Sequence, residues 1–260
     1  MAGIAQRVAL GLEYDGTDFV GWQIQRSGRS IQAALAEAVS TVADQPVTIA
    51  GAGRTDAGVH ASYQVAHFDS DATRTPRQWV LGINSNLPDD VVVTWARQVD
   101  GEFDARRSAI LRRYRYLIME RDTRSALLRH RIWWLRKVLD CRAMTAAATA
   151  LLGERDFSAF RATGCQSRTP MRRLVSIGVH RADGLLQLDF TANAFLQHMV
   201  RNLVGVLAAI GRGEAESSWA GEVLASRDRA EGGVTAPPQG LTLVGVTYPD
   251  RYDLPEPSVD

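Results

Sequence analysis

A glycine-rich segment, residues 51–61, holds the side chains of this chain that are best suited to chemistry. Its sequence is GAGRTDAGVHA, in which the Asp56 carboxylate follows the Arg54 guanidinium by two residues and precedes the His60 imidazole by four. A nearby cation keeps a carboxylate ionised, and an ionised carboxylate in a partly dry site can attack an electrophilic carbon. Glycines allow positive φ angles and a close approach of the backbone to a ligand. Glycine and aspartate also dominate turns for conformational reasons, so a plain hairpin connection explains the composition equally well.

Other uses of Asp56 are weaker. A metal site is disfavoured because the segment has no second carboxylate and no cysteine, and one histidine alone makes a poor site. General acid catalysis by Asp56 would need surroundings that raise its pKa. The segment is therefore interpreted either as a turn or as a loop that positions a catalytic carboxylate.

Two further segments combine polar and aromatic side chains. Residues 193–202 read NAFLQHMVRN, and a helix there would pack one face in the core and present Arg201 on the other, although an exposed amphipathic helix fits as well. Residues 112–116 read RRYRY, an alternation that suits base stacking and phosphate contact on a strand. A tyrosine in a strand, such as Tyr114, is also common in plain cross-strand packing.

Composition limits the class of protein. The 260 residues are 45% hydrophobic and 23% charged, as in a soluble globular protein. No apolar run approaches the roughly 20 residues that a membrane span needs, and the first residues lack the features of a secretory signal. Cys141 and Cys165 are the two cysteines, with no metal spacing and no disulfide framework. We therefore expect a cytoplasmic protein with no membrane association.

The positive charge is almost entirely arginine. The net charge is +1, and Lys137 is the only lysine among 30 basic residues. Arginine grips phosphate bidentately and stacks on bases, although codon bias also enriches it. Local clusters occur at residues 106–107, 112–115 and 168–173. Such clusters are typical of solvated faces and are compatible with nucleic-acid binding.

Hydrophobic periodicity predicts an α+β fold. The predicted strands are 7–14, 47–51, 63–69, 91–95, 113–119, 173–181, 185–191 and 241–248. The predicted helices follow Ser30, Thr75 and Asp140 as N-caps and also span 195–210 and 216–225. Residues 228–240, rich in glycine and proline, are predicted to be a mobile loop.

The order of these elements predicts two lobes with mainly antiparallel sheets that meet at a central cleft. In the first part the strands and helices alternate as in a sheet covered by helices on one face. We assign residues 1–104 to an N-terminal lobe that carries the glycine-rich segment. Residues 105–260 form a C-terminal lobe that completes the cleft.

Several motifs together resemble the TruA-type tRNA pseudouridine synthases, in order and over essentially the whole chain. The segment GRTDAGVHA at residues 53–61 resembles the catalytic signature of that family. The other matching segments are EYDG at 13–16, GWQ at 21–23, RYRY at 113–116, CQSRTP at 165–170, FLQHMVRN at 195–202, GL at 240–241 and YPDRY at 248–252. The weakest matches are the stretches around 120–135 and 211–235.

The resemblance implies an isomerase that acts on the tRNA anticodon arm at the adjacent positions 38, 39 and 40. The glycosidic bond of uridine is broken, the uracil turns in the pocket, and it rejoins the ribose through C5. Because the reaction involves neither redox change nor hydrolysis, no cofactor or metal is implied. The family also implies a homodimer, and the pseudouridine synthase fold.

The resemblance also implies roles for five residues. Asp56 is the essential carboxylate, and whether it attacks ribose C1′, adds to C6 of the base or abstracts a ribose proton is left open. Arg54 holds the nucleotide out of its stem, Arg201 pairs with Asp56, and Leu241 forms an apolar wall. Tyr114 stacks on the uracil near C5, where a proton must be lost. A tyrosine pKa near ~10 makes it a poor unaided base for that step.

Two other functions compete with this one. A non-catalytic RNA-binding protein would bind tRNA without modifying it, but would gain nothing from a carboxylate that faces phosphates. A glycoside hydrolase normally needs two carboxylates in one site, and no second one accompanies Asp56.

Overall fold

The computed structural model describes residues 6–257, which fall into two compact units. The first unit contains residues 6–111 and 243–257, and the second contains residues 112–242. Residues 105–111 and 243–257 thus belong to the first unit. Aromatic packing explains this: the Phe103 ring contacts the rings of Tyr248 and Tyr252 at centroid distances of 5.2 and 5.0 Å. The Tyr248 hydroxyl also donates a hydrogen bond of 2.6 Å to the Ala105 carbonyl.

The described residues form ten strands and five α-helices. In chain order these are β1 (Gln6–Tyr14), α1 (Ile31–Ala43), β2 (Ala50–Gly51), β3 (His60–Ser70), α2 (Pro76–Asn84), β4 (Val91–Val99), β5 (Leu111–Glu120), β6 (Trp133–Leu135), α3 (Cys141–Thr149), β7 (Gly153–Asp156), β8 (Met171–Ala182), β9 (Leu185–Ala192), α4 (Met199–Gly211), α5 (Trp219–Ser226) and β10 (Leu241–Thr247). The predicted α+β class with largely antiparallel strand pairing is confirmed.

The first unit is a sheet with strand order β4-β1-β3-β10, to which β2 adds by pairing with β3. The central strand β1 runs antiparallel to both β3 and β4. Helix α2 packs on β4, and α1 packs on α2. Both helices begin as predicted, with Ser30 capping α1 and Thr75 forming a capping box with Gln78 at α2.

The second unit has strand order β5-β9-β8-β7, with antiparallel pairing throughout. The short strand β6 lies parallel to β5. The predicted hairpin between β8 and β9 is confirmed, and its turn residues Asp183 and Gly184 have φ angles of 53° and 74°, as a tight hairpin turn requires. Helix α3 packs on β8 and on the nearly fully buried α4.

Some predicted element bounds are wrong. The predicted strand 47–51 is reduced to Ala50–Gly51. The helix predicted from Phe195 begins only at Met199, after His198 in the left-handed region with φ 61°. Strands β6 and β7 lie in stretches for which no strand was predicted.

Residues 228–240, predicted to be a mobile loop, contain two 3₁₀ turns and several specific contacts. The Arg229 guanidinium hydrogen-bonds within this segment and to the adjacent helix. The segment therefore has a defined conformation.

No α-helix within residues 6–257 is long and apolar enough to cross a membrane.

Candidate active site

The glycine-rich segment connects two paired strands, as predicted. Strands β2 and β3 are antiparallel, with Ala50 opposite His67 and Gly51 opposite Ala66. The Ala52 amide donates to the Val65 carbonyl at 2.7 Å and so closes the base of the connection. The loop formed by residues 52–59 thus connects two paired strands of the same sheet.

Thr55, the residue before Asp56, fixes the middle of this loop. Its hydroxyl lies 2.9 Å from the hydroxyl of the fully buried Tyr14. Its carbonyl accepts a hydrogen bond of 3.0 Å from the Trp22 amide. Two residues earlier, the Gly53 carbonyl accepts a hydrogen bond of 2.9 Å from the buried Gln64 side chain. The loop is therefore bonded to β1, to β3 and to the segment before α1.

Burial raises the pKa of Tyr14 to about 12, against the smaller opposing effects of its hydrogen bonds to Thr55 and Gln64. Its hydroxyl therefore stays protonated across the physiological range. Tyr14 is thus a neutral brace for the loop rather than a proton acceptor.

The glycines of the loop differ in why glycine is needed, because not all of them have a positive φ angle. Gly58 has a φ of 76°, which favours glycine, whereas Gly51 and Gly53 have no positive φ. A Cβ on Gly51 would lie 2.4 Å from the Trp22 ring, so this glycine makes room for a side chain. Gly21, outside the loop, has a φ of 105°, and a Cβ there would lie 2.6 Å from the Thr55 carbonyl.

The charged residues of the loop differ in exposure. Arg54 is exposed and Asp56 is half-buried, and the Asp56 carbonyl accepts a hydrogen bond of 3.1 Å from the Val59 amide. His60 is fully buried, with Nδ1 at 3.1 Å from both the Gly16 amide nitrogen and the Asp15 carboxylate. Asp56 is thus a partly solvent-accessible acidic side chain of the loop, while His60 contacts residues 15–16.

In the second unit, Tyr114 lies near the start of β5. It is almost fully buried, and its ring contacts the Phe195 ring edge-on at a centroid distance of 5.2 Å. The neighbouring Arg112 is also buried, and its Nη1 donates to the Asn193 carbonyl at 2.7 Å. The segment before α4 is therefore held against β5.

Arg201 lies in the first turn of α4 and is tied to the segment that precedes β10. Its Nε donates to the Ala236 carbonyl at 2.8 Å, and the Ala236 amide donates to the Arg201 carbonyl at 3.1 Å. The next carbonyl, that of Pro237, accepts a hydrogen bond of 2.7 Å from the buried Tyr116 hydroxyl. Leu241, which follows on β10, is 4% exposed.

The predicted site residues divide between the units. Asp56 and Arg54 belong to the first unit, and Tyr114, Arg201 and Leu241 belong to the second. Within the second unit, Arg201 lies close enough to Tyr116 to oppose electrostatically the rise that burial causes in the pKa of that tyrosine. The predicted pairing of Asp56 with Arg201 stays a prediction.

A cavity of about 500 Å³ in the first unit contains none of these residues. It lies beside Arg7, at the opposite end of β1 from Tyr14, and Arg107 and Arg251 also line it. In the part of the chain that the structure describes, no group of three or more His, Cys, Asp or Glu side chains is arranged to hold a metal ion.

The chain thus combines an α+β unit that holds a half-buried aspartate on a fixed loop with a second unit rich in arginine. Comparison with known proteins identifies the class of protein. The family model described as tRNA pseudouridine synthase matches residues 12–106 and 147–249. The chain belongs to this family of isomerases, and the predicted enzyme class is confirmed.

The chain is similar over nearly its full length to proteins named tRNA pseudouridine synthase A. It is 51% identical to the one from Coxiella burnetii (strain Dugway 5J108-111), covering 96% of this chain and 95% of the relative. Identity to the protein from Methylococcus capsulatus is 52%, covering 97% and 93%. The protein from Shewanella sp. (strain MR-4) is 49% identical, with 96% of each chain covered.

Several residues that hold the glycine-rich loop or the segment before β10 were not assigned a role from the sequence. Tyr14, Gly21 and Trp22 lie in motifs that carried the resemblance, but their contacts with the loop could not be read from a motif. Gln64 and Arg229 had no signal beyond their position near a motif or in a loop.

Proposed function

We propose that this enzyme converts uridine to pseudouridine in the anticodon stem-loop of tRNA, at positions 38, 39 and 40, with Asp56 as the essential carboxylate. The observation that carries the proposal is the full-length similarity to proteins named tRNA pseudouridine synthase A, together with a half-buried Asp56 on a loop fixed at Gly53 and Thr55. A carboxylate held by its backbone neighbours loses little freedom when substrate binds, which favours a reactive role.

The reaction requires the target uridine to leave its stack. A base inside a stem cannot be reached by a side chain, so the nucleotide must flip out, at a cost of a few kcal/mol. We assign Arg54 to hold the flipped nucleotide, because its guanidinium is exposed on the same loop two residues before Asp56.

Asp56 then acts on the flipped nucleotide by one of three routes: attack on ribose C1′, addition to C6 of the base, or removal of a ribose proton. In each route the N–C glycosidic bond breaks, the uracil turns, and a C–C bond forms between C5 and C1′. The C5 proton then leaves, and N1 is protonated in the product. Any bond that Asp56 has formed to C1′ or C6 breaks, or the ribose proton that it has removed returns, so that the carboxylate is regenerated. The reaction is an isomerisation, so no electrons are exchanged with a cofactor, and we propose that none is used and that no metal takes part.

We assign the remaining roles to residues of the second unit. Tyr114 stacks on the uracil near C5, where its edge contact with Phe195 limits the rotation of its ring. Leu241, which is almost fully buried, forms an apolar wall of the base pocket. Arg201 pairs with Asp56 and keeps the carboxylate charged and oriented.

We further propose that tRNA lies in a cleft between two lobes, that the enzyme acts as a homodimer, and that it works in the cytoplasm. The arginine clusters at residues 106–107, 112–115 and 168–173 supply the phosphate contacts through their accessible side chains, which excludes the buried Arg112. The affinity for tRNA should therefore fall steeply as the salt concentration rises.

The test is release of tritium from C5-labelled uridine in an anticodon stem-loop RNA. Replacement of Asp56 by Asn should lower the single-turnover rate by at least about 1,000-fold, within the range expected for loss of a catalytic acid–base or nucleophilic group. The exposed Asp89 offers a matched control, and Asp89→Asn should release tritium at the wild-type rate. Undiminished release by Asp56→Asn would contradict the role of Asp56.

The same assay separates the competing functions. A non-catalytic RNA-binding protein would bind the stem-loop with no tritium release by the wild type at any enzyme concentration. A glycoside hydrolase would liberate free uracil. Mapping of pseudouridine along the product then shows whether positions 38, 39 and 40 are all used.

A further inference from the structure

A buried polar network links helix α4 to the segment that precedes β10. At its centre is Asn202, which is 1% exposed and follows Arg201 directly. Its amide nitrogen donates to the Phe160 carbonyl at 2.8 Å. Its side-chain oxygen accepts hydrogen bonds from the Thr235 hydroxyl at 2.7 Å and from the Arg229 guanidinium at 3.1 Å. A buried amide with both its nitrogen and its oxygen bonded is a fixed point in a fold.

Arg229 connects three parts of this network. Its Nη2 contacts both Asn202 and the Thr235 hydroxyl, the latter at 2.9 Å, and its Nη1 donates to the Gly233 carbonyl at 2.9 Å. The planar guanidinium therefore clamps the segment 233–235 against α4 at residue 202. A lysine could not reproduce this because its ammonium lacks the two-pronged geometry.

The segment that Arg229 holds, residues 233–235, is followed directly by Ala236, whose carbonyl orients Arg201. Ala236 follows Thr235, accepts the Arg201 Nε–H and donates its own amide to the Arg201 carbonyl. A shift of Thr235 would therefore also move the adjacent Ala236 carbonyl, which accepts the hydrogen bond that orients the Arg201 guanidinium.

Close packing leaves this segment little freedom to shift. An added Cβ on Gly205, one turn further along α4, would lie only 1.9 Å from the Val234 carbonyl oxygen. The backbone of the segment therefore rests directly on the helix backbone, and the clamp holds it there.

We infer that Arg229 is a positioning residue for Arg201: it holds residues 233–236 in the conformation that aims the Arg201 guanidinium at its site. The inference rests on the proposed function only in that Arg201 takes part in catalysis. A misplacement of about 1 Å at a reacting centre can cost on the order of 100-fold in rate.

The test is a double-variant cycle measured by single-turnover tritium release at saturating tRNA. Arg229→Gln should lower the rate by about 10-fold or more, while the Kd for tRNA changes by less than about twofold. In an Arg201→Gln background the same change should cost less than about twofold, because the residue being positioned is gone. Arg229→Lys should give an intermediate rate.

Arg227→Gln is the matched control, since it removes the same charge two residues before Arg229. The Arg227 side chain is 69% exposed, and its Nε lies 3.5 Å from the Asp156 carboxylate. This variant should retain the wild-type rate. Circular dichroism and thermal melting of each variant show that it is folded at the assay temperature.

A rate for Arg229→Gln equal to that of Arg227→Gln would overturn the inference, and so would an equal loss in the presence and absence of Arg201. A purely structural effect of Arg229 would give that second result, since independent losses add. A wild-type enzyme that releases no tritium would instead contradict the proposed function.

Discussion

Thr55 lies next to the proposed catalytic carboxylate and is bonded through both its side chain and its carbonyl. These bonds of Thr55 restrict the backbone at Asp56, in addition to the hydrogen bond that the Asp56 carbonyl accepts from the Val59 amide. The Tyr14 hydroxyl that contacts Thr55 lies in a fully buried position, with Gln64 as its second neighbour at 3.4 Å. Because water cannot replace a lost partner at such a place, these hydroxyls are strongly coupled.

Replacement of Tyr14 by Phe should lower the free energy of unfolding by about 1–2 kcal/mol, since the Thr55 hydroxyl then loses a buried partner. It should also lower the rate of pseudouridine formation, because the loop is held less firmly. Urea unfolding and single-turnover tritium release measure the two effects.

Tyr248→Phe provides the control, as it removes a hydroxyl bonded to the Ala105 carbonyl elsewhere in the same unit. It should destabilise the protein by a similar amount and leave the rate unchanged. The losses for Tyr14→Phe and Thr55→Val should be non-additive by about 1 kcal/mol. Additive losses would show that the two hydroxyls act separately.

Asp56 could be proposed as the reactive residue from the sequence, because Asp56, Arg54 and the glycines are close together in the segment that resembles the family's catalytic signature. The residues that brace the loop could not. Tyr14 and Gln64 are 41 residues before Thr55 and 11 residues after Gly53, respectively, and their contacts arise only when β1 and β3 pair. The positions of Tyr114, Arg201 and Leu241 in the sequence likewise say nothing about how their side chains are oriented.

Among the connecting elements, the segment before α1 and the glycine-rich loop approach each other through Gly21. The positive φ of Gly21 and its closeness to the Thr55 carbonyl leave no space for a side chain. Gly53 is a natural comparison, because a Cβ there would meet no atom within 4 Å. Its backbone also lacks a positive φ.

Gly21→Ala should therefore destabilise the protein by about 1–3 kcal/mol, the usual cost of a residue held in a disfavoured backbone region, and should displace the loop and slow the reaction. Gly53→Ala should instead be neutral or stabilise the protein by up to about 1 kcal/mol through the unfolded state. Thermal melting of the two variants checks the difference. Equal destabilisation would contradict the distinction between these glycines.

The start of α4 shows why helix bounds were hard to predict. The apolar pattern from Phe195 onward suits a helix, but residues 195–198 are held by contacts from elsewhere in the unit. The Phe195 ring packs against Tyr114, and the Gln197 carbonyl accepts from the Ala162 amide. His198 then takes a left-handed conformation, and the helix starts after it. Tertiary contacts thus override a local pattern.

At the scale of the whole molecule, stability should depend on pH through a buried histidine. His67 Nδ1 accepts a hydrogen bond of 3.1 Å from the Ala105 amide, which requires that nitrogen to be unprotonated. Burial lowers the pKa of His67, with a further lowering by Arg7 that Asp104 and Asp69 partly oppose. The folded state therefore favours neutral His67 more than the unfolded state does.

Because the folded-state pKa lies below the unfolded value of ~6.5, this contribution to stability is complete above that pH and is lost as the pH falls through the folded-state pKa. The melting temperature should drop as the pH falls below about 6.5, before most carboxylates titrate. His67→Gln should reduce this drop, whereas a variant of the exposed His180, His180→Gln, should keep it. A pH dependence unchanged in His67→Gln would assign it to other groups.

The α+β class, most elements and the family could be predicted from the sequence, because local periodicity and in-order motifs carry them. The grouping into compact units could not be predicted in the same way. The pattern of β10 predicts a strand but not its neighbours, and residues 243–257 return to the first unit through contacts such as Phe103 with Tyr248. Pairing between segments about 140 residues apart leaves no local pattern.

The return of residues 243–257 to the first unit has a consequence for synthesis on the ribosome. The second unit is continuous in the chain, so it can complete its contacts before residues 243–257 emerge. The first unit, which carries Asp56, lacks a strand and its aromatic contacts with Phe103 until those residues emerge. A nascent chain that stalls after residue 242 would therefore contain the arginine-rich unit without a finished first unit, and the proposed catalytic loop would gain its complete support only after residues 243–257 have emerged.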